Sequence, residues 1–427
     1  MNSTFWVIAF QLLKIFNGLI AVLLVPIYLS SHEQGIWFLM LSFGSIILLF
    51  SASQNGIVLI FGSHEFKNLR VKDSLVSGDS SEKNKLFSFV KYSNLFFIYI
   101  LTIISFFVFA IFYFYTKSDL NTETIFIFFV YCIGLYLYAI NYSMLSYIES
   151  FNEVRYAYIL KTALMTFIVA TTAILLMNNY HLYSLSISFF TTMLISTILL
   201  LYKFKNLLVE IVETKAVFSR LKKKVFLNYF VKNSFSMVSG FLLFQIYTPI
   251  VYYYKGFELT GKVGLSIAIF TALFAVSTAF IQAKLPHVIN LISKKQYSNA
   301  YEIYFLSAKK AILIFVVFLS LGLFLLFKVE LFSIYQERTV EFASFIILSI
   351  SWLFQILVYI LVTYIRCFKR ELFIIPTIVS IAYILVVTVF ILKNYSSEYI
   401  FLGFLSSYIF GLPWVYVIYS KFLKSKR

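Results

Sequence analysis

Apolar stretches long enough to cross a bilayer recur along the whole chain, each separated from the next by a short polar or charged loop. A hydrocarbon core about 30 Å thick takes about 20 helical residues to cross. Backbone polar groups at that depth have no water and must be satisfied inside the protein. The sequence predicts spans at roughly 5–29, 36–61, 90–115, 125–148, 158–177, 185–202, 234–254, 264–283, 311–327, 343–365, 374–392 and 400–420. The chain is 61% hydrophobic and 12% charged, whereas a soluble domain is about half apolar and about one-quarter charged. The expectation is an all-α integral membrane protein of about twelve transmembrane helices.

A net charge of +17 would point to nucleic acid in a soluble protein. Here its placement gives another reason. Loops on the N-terminal side hold 28 of the 35 Lys and Arg, and the opposite loops hold six: Lys117, Lys255, Lys262, Lys328, Arg338 and Lys393. Basic loops stay in the cytoplasm, so both termini are expected inside, with the chain in a bacterial inner membrane. No nucleic-acid partner is expected; membrane lipids are. Cys132 and Cys367 lie at different depths, so no disulfide is expected.

Every outer loop is short, so no domain is expected to fold outside. The cytoplasmic stretch 202–233 is longer and divides the chain almost in half. Its Leu, Val and Phe mixed with Lys203, Lys205, Lys215, Arg220 and Lys222–Lys223–Lys224 predict a basic amphipathic helix on the anionic inner leaflet. The halves resemble each other weakly. Val25–Pro26–Ile27–Tyr28 followed by Glu33–Gln34–Gly35 matches Thr248–Pro249–Ile250–Val251 followed by Glu258–Leu259–Thr260–Gly261. Ser77–Gly78–Asp79 matches Ser293–Lys294–Lys295. The expected division is a lobe at 1–201, a linker at 202–233 and a lobe at 234–427. Six spans per repeat make the repeats parallel, with central access that alternates.

Lys14 is the one cation assigned to the interior of a span, about 14 Å along its helix at 1.5 Å per residue. A bare charge at mid-membrane costs roughly 2.5–3.5 kcal/mol on insertion scales. Either Lys14 faces a wet cavity or its helix starts later and the side chain reaches the headgroups. Gln11, Lys14 and Gly18 share one helical face, with Asn17 beside them. Gln54 and Asn55 lie in the second span, Gln245 in the seventh and Gln355 in the tenth. Each amide either bonds a neighbouring helix or lines a cavity. Lys284 and Arg366, at cytoplasmic helix ends, are either inner anchors or the rim of a vestibule.

Absences also discriminate. No GxxxxGK[ST] run occurs, the four histidines lack metal-ligand spacing, and no motif calls for a cofactor or metal. No Asp or Glu lies well inside a predicted span, which removes the usual ion-coupling carboxylate. Coupling would then run through a loop carboxylate such as Glu149, through neutral oxygens or through the membrane potential.

Pro26–Ile27–Tyr28, Glu33-x-Gly35, Gln54–Asn55–Gly56 and Ser77–Gly78–Asp79, with Leu285–Pro286 and Ser293–Lys294–Lys295 in the second half, resemble bacterial polysaccharide (O-antigen or capsule repeat-unit) flippases of the Wzx type. These belong to the multidrug/oligosaccharidyl-lipid/polysaccharide exporter superfamily. The resemblance implies two six-helix lobes around a V-shaped cavity. It implies transport of undecaprenyl-pyrophosphate-linked oligosaccharide to the outer leaflet, beside a polysaccharide polymerase and chain-length machinery. Cavity cations would attract the pyrophosphate, which fits Lys14 and Lys284. One alternative is a multidrug or small-solute exporter of the same fold. Another is a membrane polysaccharide polymerase or glycosyltransferase, which needs paired outer carboxylates for glycosyl chemistry. This chain offers only scattered Glu33, Asp119, Glu123 and Glu258 outside. The reading is therefore a transporter, not an enzyme.

The charge asymmetry makes the topology testable. Cysteines placed within 62–89 or 202–233 should resist impermeant thiol reagents in intact cells, while those beside Asn121 or Ser396 should react. Labelling of the basic loops from outside would overturn the orientation.

Overall fold

The computed structural model describes residues 3–65, 69–72, 75–151, 153–215, 218–368, 370 and 372–424. It is almost entirely helical. The helices are α1 (Ser3–Tyr28), α2 (Ser31–Glu65), α3 (Ser80–Thr116), α4 (Thr122–Ser150), α5 (Val154–Met177) and α6 (Tyr183–Lys203). They continue with α7 (Lys205–Glu213), α8 (Arg220–Gln245), α9 (Tyr247–Ser293), α10 (Tyr297–Lys328) and α11 (Ser333–Arg338), then α12 (Phe342–Arg366), α13 (Ile374–Asn394) and α14 (Leu402–Lys424). A two-stranded antiparallel hairpin, β1 (Arg70–Lys72) and β2 (Leu75–Ser77), lies between α2 and α3.

Eleven helices among the described residues are long and apolar enough to cross a membrane. The fold is therefore an all-α integral membrane fold, as the apolar runs predict. The predicted seventh span straddles α8 and the start of α9, and the predicted eighth lies wholly in α9. Gly256, at φ 76° and ψ −172°, is not helical, so α9 is two helical segments that meet at a kink, with the seventh and eighth expected spans on either side of it. The positive φ suits glycine.

Local sequence sets the helix ends. Ser30 and Glu33 form a reciprocal cap on α2: Ser30 N donates to Glu33 Oε2 at 2.9 Å, and Glu33 N to Ser30 Oγ at 3.2 Å. Asn121 caps α4 through Thr124 N at 2.8 Å. Asn179 and Lys295 take left-handed φ just past α5 and α9. There the next residue's N–H reaches back five positions: Tyr180 to Leu175 O at 3.0 Å and Gln296 to Leu291 O at 2.9 Å.

The chain forms two compact units. The first comprises 1–20 and 40–238, the second 21–39 and 239–427. Two sequence-level expectations meet this division differently. The stretch 202–233 is no free connector. Phe204, Leu207, Ile211, Phe218, Phe226 and Phe230 are buried in the core of the first unit with Phe89 and Val90. Lys83 pairs with Glu210 at 3.0 Å, and Lys91 Nζ donates to Val212 O and Thr214 O at the end of α7. The aromatic residues interleaved with the lysines are what dock it.

The second difference is that the tip of the α1–α2 hairpin is packed with the C-terminal half. Gln34 Nε2 donates to Gly261 O at 2.9 Å and to Arg338 O at 3.0 Å. Arg338 Nη1 donates to Ser31 Oγ at 2.7 Å, and Tyr335 Oη to Leu23 O at 3.0 Å. The two glycines singled out by the internal match face each other: a Cβ on Gly261 would lie 2.9 Å from Gly35 N. A Cβ on Gly35 would lie 2.0 Å from Phe257 O. Backbone fills the space that any side chain would need.

Gly35→Ala should therefore destabilise the protein by about 1–3 kcal/mol, the usual range for overpacking. Gly322→Ala, on α10 with nothing within 4 Å of the new Cβ, should be neutral or stabilising by up to about 1 kcal/mol. Thermal unfolding in detergent measures both. Equal melting temperatures for the two variants would refute the seam.

Candidate functional site

In the first unit, α2 and α4 run side by side. Gly44 abuts Tyr131 and Leu135, and Gly62 abuts the Ser150 side chain. The same register places Gln54 level with Tyr142 and Ser143. Gln54 is 0% exposed, and neither its amide nitrogen nor its amide oxygen has a hydrogen-bond partner among the described residues. Asn55 reaches Ser51 Oγ at 3.5 Å, but its oxygen is unpartnered. Ser143 Oγ is also buried without a partner among the described residues, while the Tyr142 hydroxyl pairs with that of Tyr138. A buried unsatisfied polar group costs about 1–3 kcal/mol, so such a cluster is a departure from ordinary helix packing.

Neighbouring polar groups show the ordinary case. Asn141 Nδ2 donates to Met193 O at 2.9 Å, and its Oδ1 accepts from Thr197 Oγ1 at 3.0 Å. Ser53 and Ser234 hydroxyls meet at 2.8 Å. Helices in this unit can satisfy an amide where the sequence provides a partner.

The unit also holds a charge pair that the sequence reading placed among the cytoplasmic loops. Lys161 Nζ lies 2.5 Å from Glu149 Oε2, with side chains 8% and 12% exposed. Lys161 sits in the second turn of α5, and Glu149 is next to last in α4. The Tyr158 ring lies 4.7 Å from Nζ, and its hydroxyl interacts with the Glu149 carboxylate. Phe10 packs on Tyr158 and Tyr142, with ring centroids 5.8 and 6.3 Å away. Lys161 falls only three residues into the predicted fifth span, which groups it with the loops. The signal for it was two opposite charges flanking one short turn between apolar runs.

The other expected site residues divide as follows. Gln11 is exposed and Asn17 half-buried on α1. Lys14 lies on the same helix, and its side chain is outside the described residues. In the second unit, Gln245 is half-buried at the end of α8. Gln355 is half-buried, and its Oε1 accepts from Tyr408 Oη at 2.6 Å. Lys284 and Arg366 are both exposed, on α9 and at the end of α12. Gln54 and Asn55 belong to the first unit; Gln245, Gln355, Lys284 and Arg366 belong to the second. The described residues contain no group of three or more His, Cys, Asp or Glu able to hold a metal ion. Cys132 and Cys367 are free and buried.

The helical architecture is that of the multidrug/oligosaccharidyl-lipid/polysaccharide exporter fold. The chain is similar to lipid II flippase MurJ in its inward closed conformation: TM-score 0.67, 14% identity, covering 96% of this chain and 86% of that one. It is similar to an inward-facing multidrug resistance transporter of the MATE family, at TM-score 0.61 and 11% identity over 96% and 99% of the two chains. A superfamily transporter from Pyrococcus furiosus, described as having a binding pocket of reversed polarity, gives TM-score 0.52 and 12% identity over 98% and 96%. No protein-family model matches the chain. No curated protein sequence matches it.

The Gln54 cluster separates stability from use. Gln54→Leu removes two buried amide atoms without partners, so it should leave stability unchanged or raise it by roughly 1–3 kcal/mol. A fall in melting temperature of several degrees would mean that Gln54 is bonded and structural.

Proposed function

We propose that this protein is a flippase that moves undecaprenyl-pyrophosphate-linked oligosaccharide from the inner to the outer leaflet of a bacterial inner membrane. Two lobes alternate access, with both termini in the cytoplasm. The observation that carries the reading is the buried polar cluster of the first unit. The Gln54 amide, the Asn55 amide oxygen and the Ser143 hydroxyl are groups that the described protein leaves unbonded. Sugar hydroxyls are donors and acceptors of the matching kind, and bonding them would offset the desolvation that the cluster costs. The shared fold includes a lipid II flippase, so the architecture is compatible with lipid-linked cargo.

Lys14 would draw the diphosphate, and Lys284 and Arg366 would form the cytoplasmic rim. The polyprenyl tail would stay in lipid. Export of organic cations on the same fold is the competing reading, since multidrug transporters share it. Glu149, on the same helix as Ser143, is already neutralised by Lys161. That leaves a lipophilic cation little to bind there.

The test is reconstitution in vesicles with a fluorescent undecaprenyl-diphosphate oligosaccharide, scoring its arrival in the opposite leaflet. Wild-type protein should translocate it, and Gln54→Leu should do so at least tenfold more slowly at equal abundance. Lys14→Arg should keep much of the rate and Lys14→Ala should lose most of it. A lost charge-assisted contact of about 1.5–3 kcal/mol corresponds to roughly ten- to over a hundredfold weaker binding. Absence of translocation together with efflux of cationic dyes would establish the competing reading.

A further inference from the structure

We propose that the second unit carries a binding site for an anionic phospholipid. One acyl chain lies in a groove formed by α10, α12 and α14, and the head-group phosphate meets Lys309. The inference stands whatever the protein transports, because it concerns the lipid around the protein and not the cargo.

The groove has a volume of about 540 Å³, within the roughly 300–1,000 Å³ of sites that enclose small organic ligands. It lies wholly in the second unit. Phe305, Ala308, Lys309 and Ile312 line it from α10, spaced as one stripe of the helix. Leu357 and Leu361 line it from α12, and Pro413 and Tyr416 from α14. The Phe305 ring meets those of Tyr364 and Tyr419, with centroids 5.6 and 6.5 Å away. These contacts tie the three helices together beside the groove, so the gap is a feature of the packing. Each of the three helices belongs to a segment long and apolar enough to cross a membrane. What fills the groove therefore comes from the bilayer.

Charge decides which lipid. Lys309 is the one ionisable cation of the lining, it is exposed, and no carboxylate among the described residues pairs with it. The nearest acid before it on α10 is Glu302, seven residues back or about 10 Å along the helix. Leu361 stands five residues before Arg366, and Tyr416 five before Lys421. The lining thus stops about 7–8 Å short of the basic helix ends. The groove lies on the hydrocarbon side of those ends, with Lys309 at its rim. A lysine there lays its stem along apolar surface and lifts its ammonium toward the head groups. A phosphate accepts a charge-assisted hydrogen bond from it. Basic pockets between membrane helices on the cytoplasmic side recognise anionic head groups in this way. A zwitterionic lipid would fill the groove equally well, but its head group carries a cation of its own that Lys309 repels.

The test is native mass spectrometry of the full-length protein in detergent, with phosphatidylglycerol and phosphatidylcholine of identical chains added in competition. Wild type should retain phosphatidylglycerol in preference by roughly fivefold, the effect of one lysine on an anionic head group. Lys309→Gln should abolish the preference at an unchanged melting temperature, and Lys309→Arg should keep it. Lys310→Gln, the exposed neighbour outside the lining, should also keep it. Leu412→Trp, which fills the groove from α14, should lower retention of both lipids. Should Leu412→Trp fail to fold, the contrast between Lys309 and Lys310 still decides. Equal loss of preference in Lys309→Gln and Lys310→Gln would mean diffuse surface charge and overturn the proposal. A preference that survives Lys309→Gln would overturn it as well. Displacement of the bound lipid by equimolar undecaprenyl phosphate would give the groove to a polyprenyl chain instead. A wild-type dimer that Leu412→Trp dissociates would give it to a second copy of the protein.

Discussion

In hydrocarbon a polar group has no water to fall back on, and this chain is organised around where its polar groups find partners. Most find them locally. Helical serines and threonines donate to the carbonyl one turn back, as Ser93 does to Phe89 O at 2.7 Å and Thr116 to Phe112 O at 2.8 Å. Such bonds are cheap and make no demand on the fold. The informative groups are those that reach across helices or reach nothing. Gln34, Arg338 and Tyr335 reach across, and they tie the tip of the first hairpin into the second unit. Gln54 and Ser143 find no partner among the described residues, which marks their neighbourhood as one built for something other than packing.

The charges follow the same logic. A cation assigned by its distance from a predicted helix start can be misplaced by a single turn, and Lys161 was. Its side chain is buried and its ammonium meets Glu149. Glu149 was expected to act, if at all, as a loop carboxylate. In the structure its charge is held by a lysine twelve residues later in the sequence. Both residues were visible in the chain; their separation across a turn was the clue that they meet.

What the sequence made legible was what periodic hydrophobicity and charge asymmetry encode: helices, their approximate limits and the membrane itself. Gly35 and Gly261 were also legible, as an internal match at equivalent places, although not the reason for them. That reason is a backbone-to-backbone approach, which depends on packing that no local pattern contains. The 202–233 segment shows what such a pattern leaves open, which is the surface its apolar face meets. Its Leu, Val and Phe mixed with lysine predict an apolar face, and Phe218, Phe226 and Phe230 set that face in a cluster with Tyr92 and Phe96. The break at Gly256 was hidden for a similar reason. The sequence around it reads as a loop between two spans, and in the structure one glycine with a positive φ makes the whole break, with helix on either side.

The hairpin formed by α1 and α2 carries a consequence for how the protein is made. Gln34 and its acceptor on Gly261 are 227 residues apart in sequence. At about 5–20 residues per second, a ribosome needs roughly 10–50 s to make the stretch between them. Throughout that interval the hairpin tip is in the membrane with its glutamine and its glycine-lined backbone unmatched. The first helices to be inserted are thus among the last to be completed. The quality of the finished protein is settled late, when the second half arrives to close over an end that has been waiting since the start of synthesis.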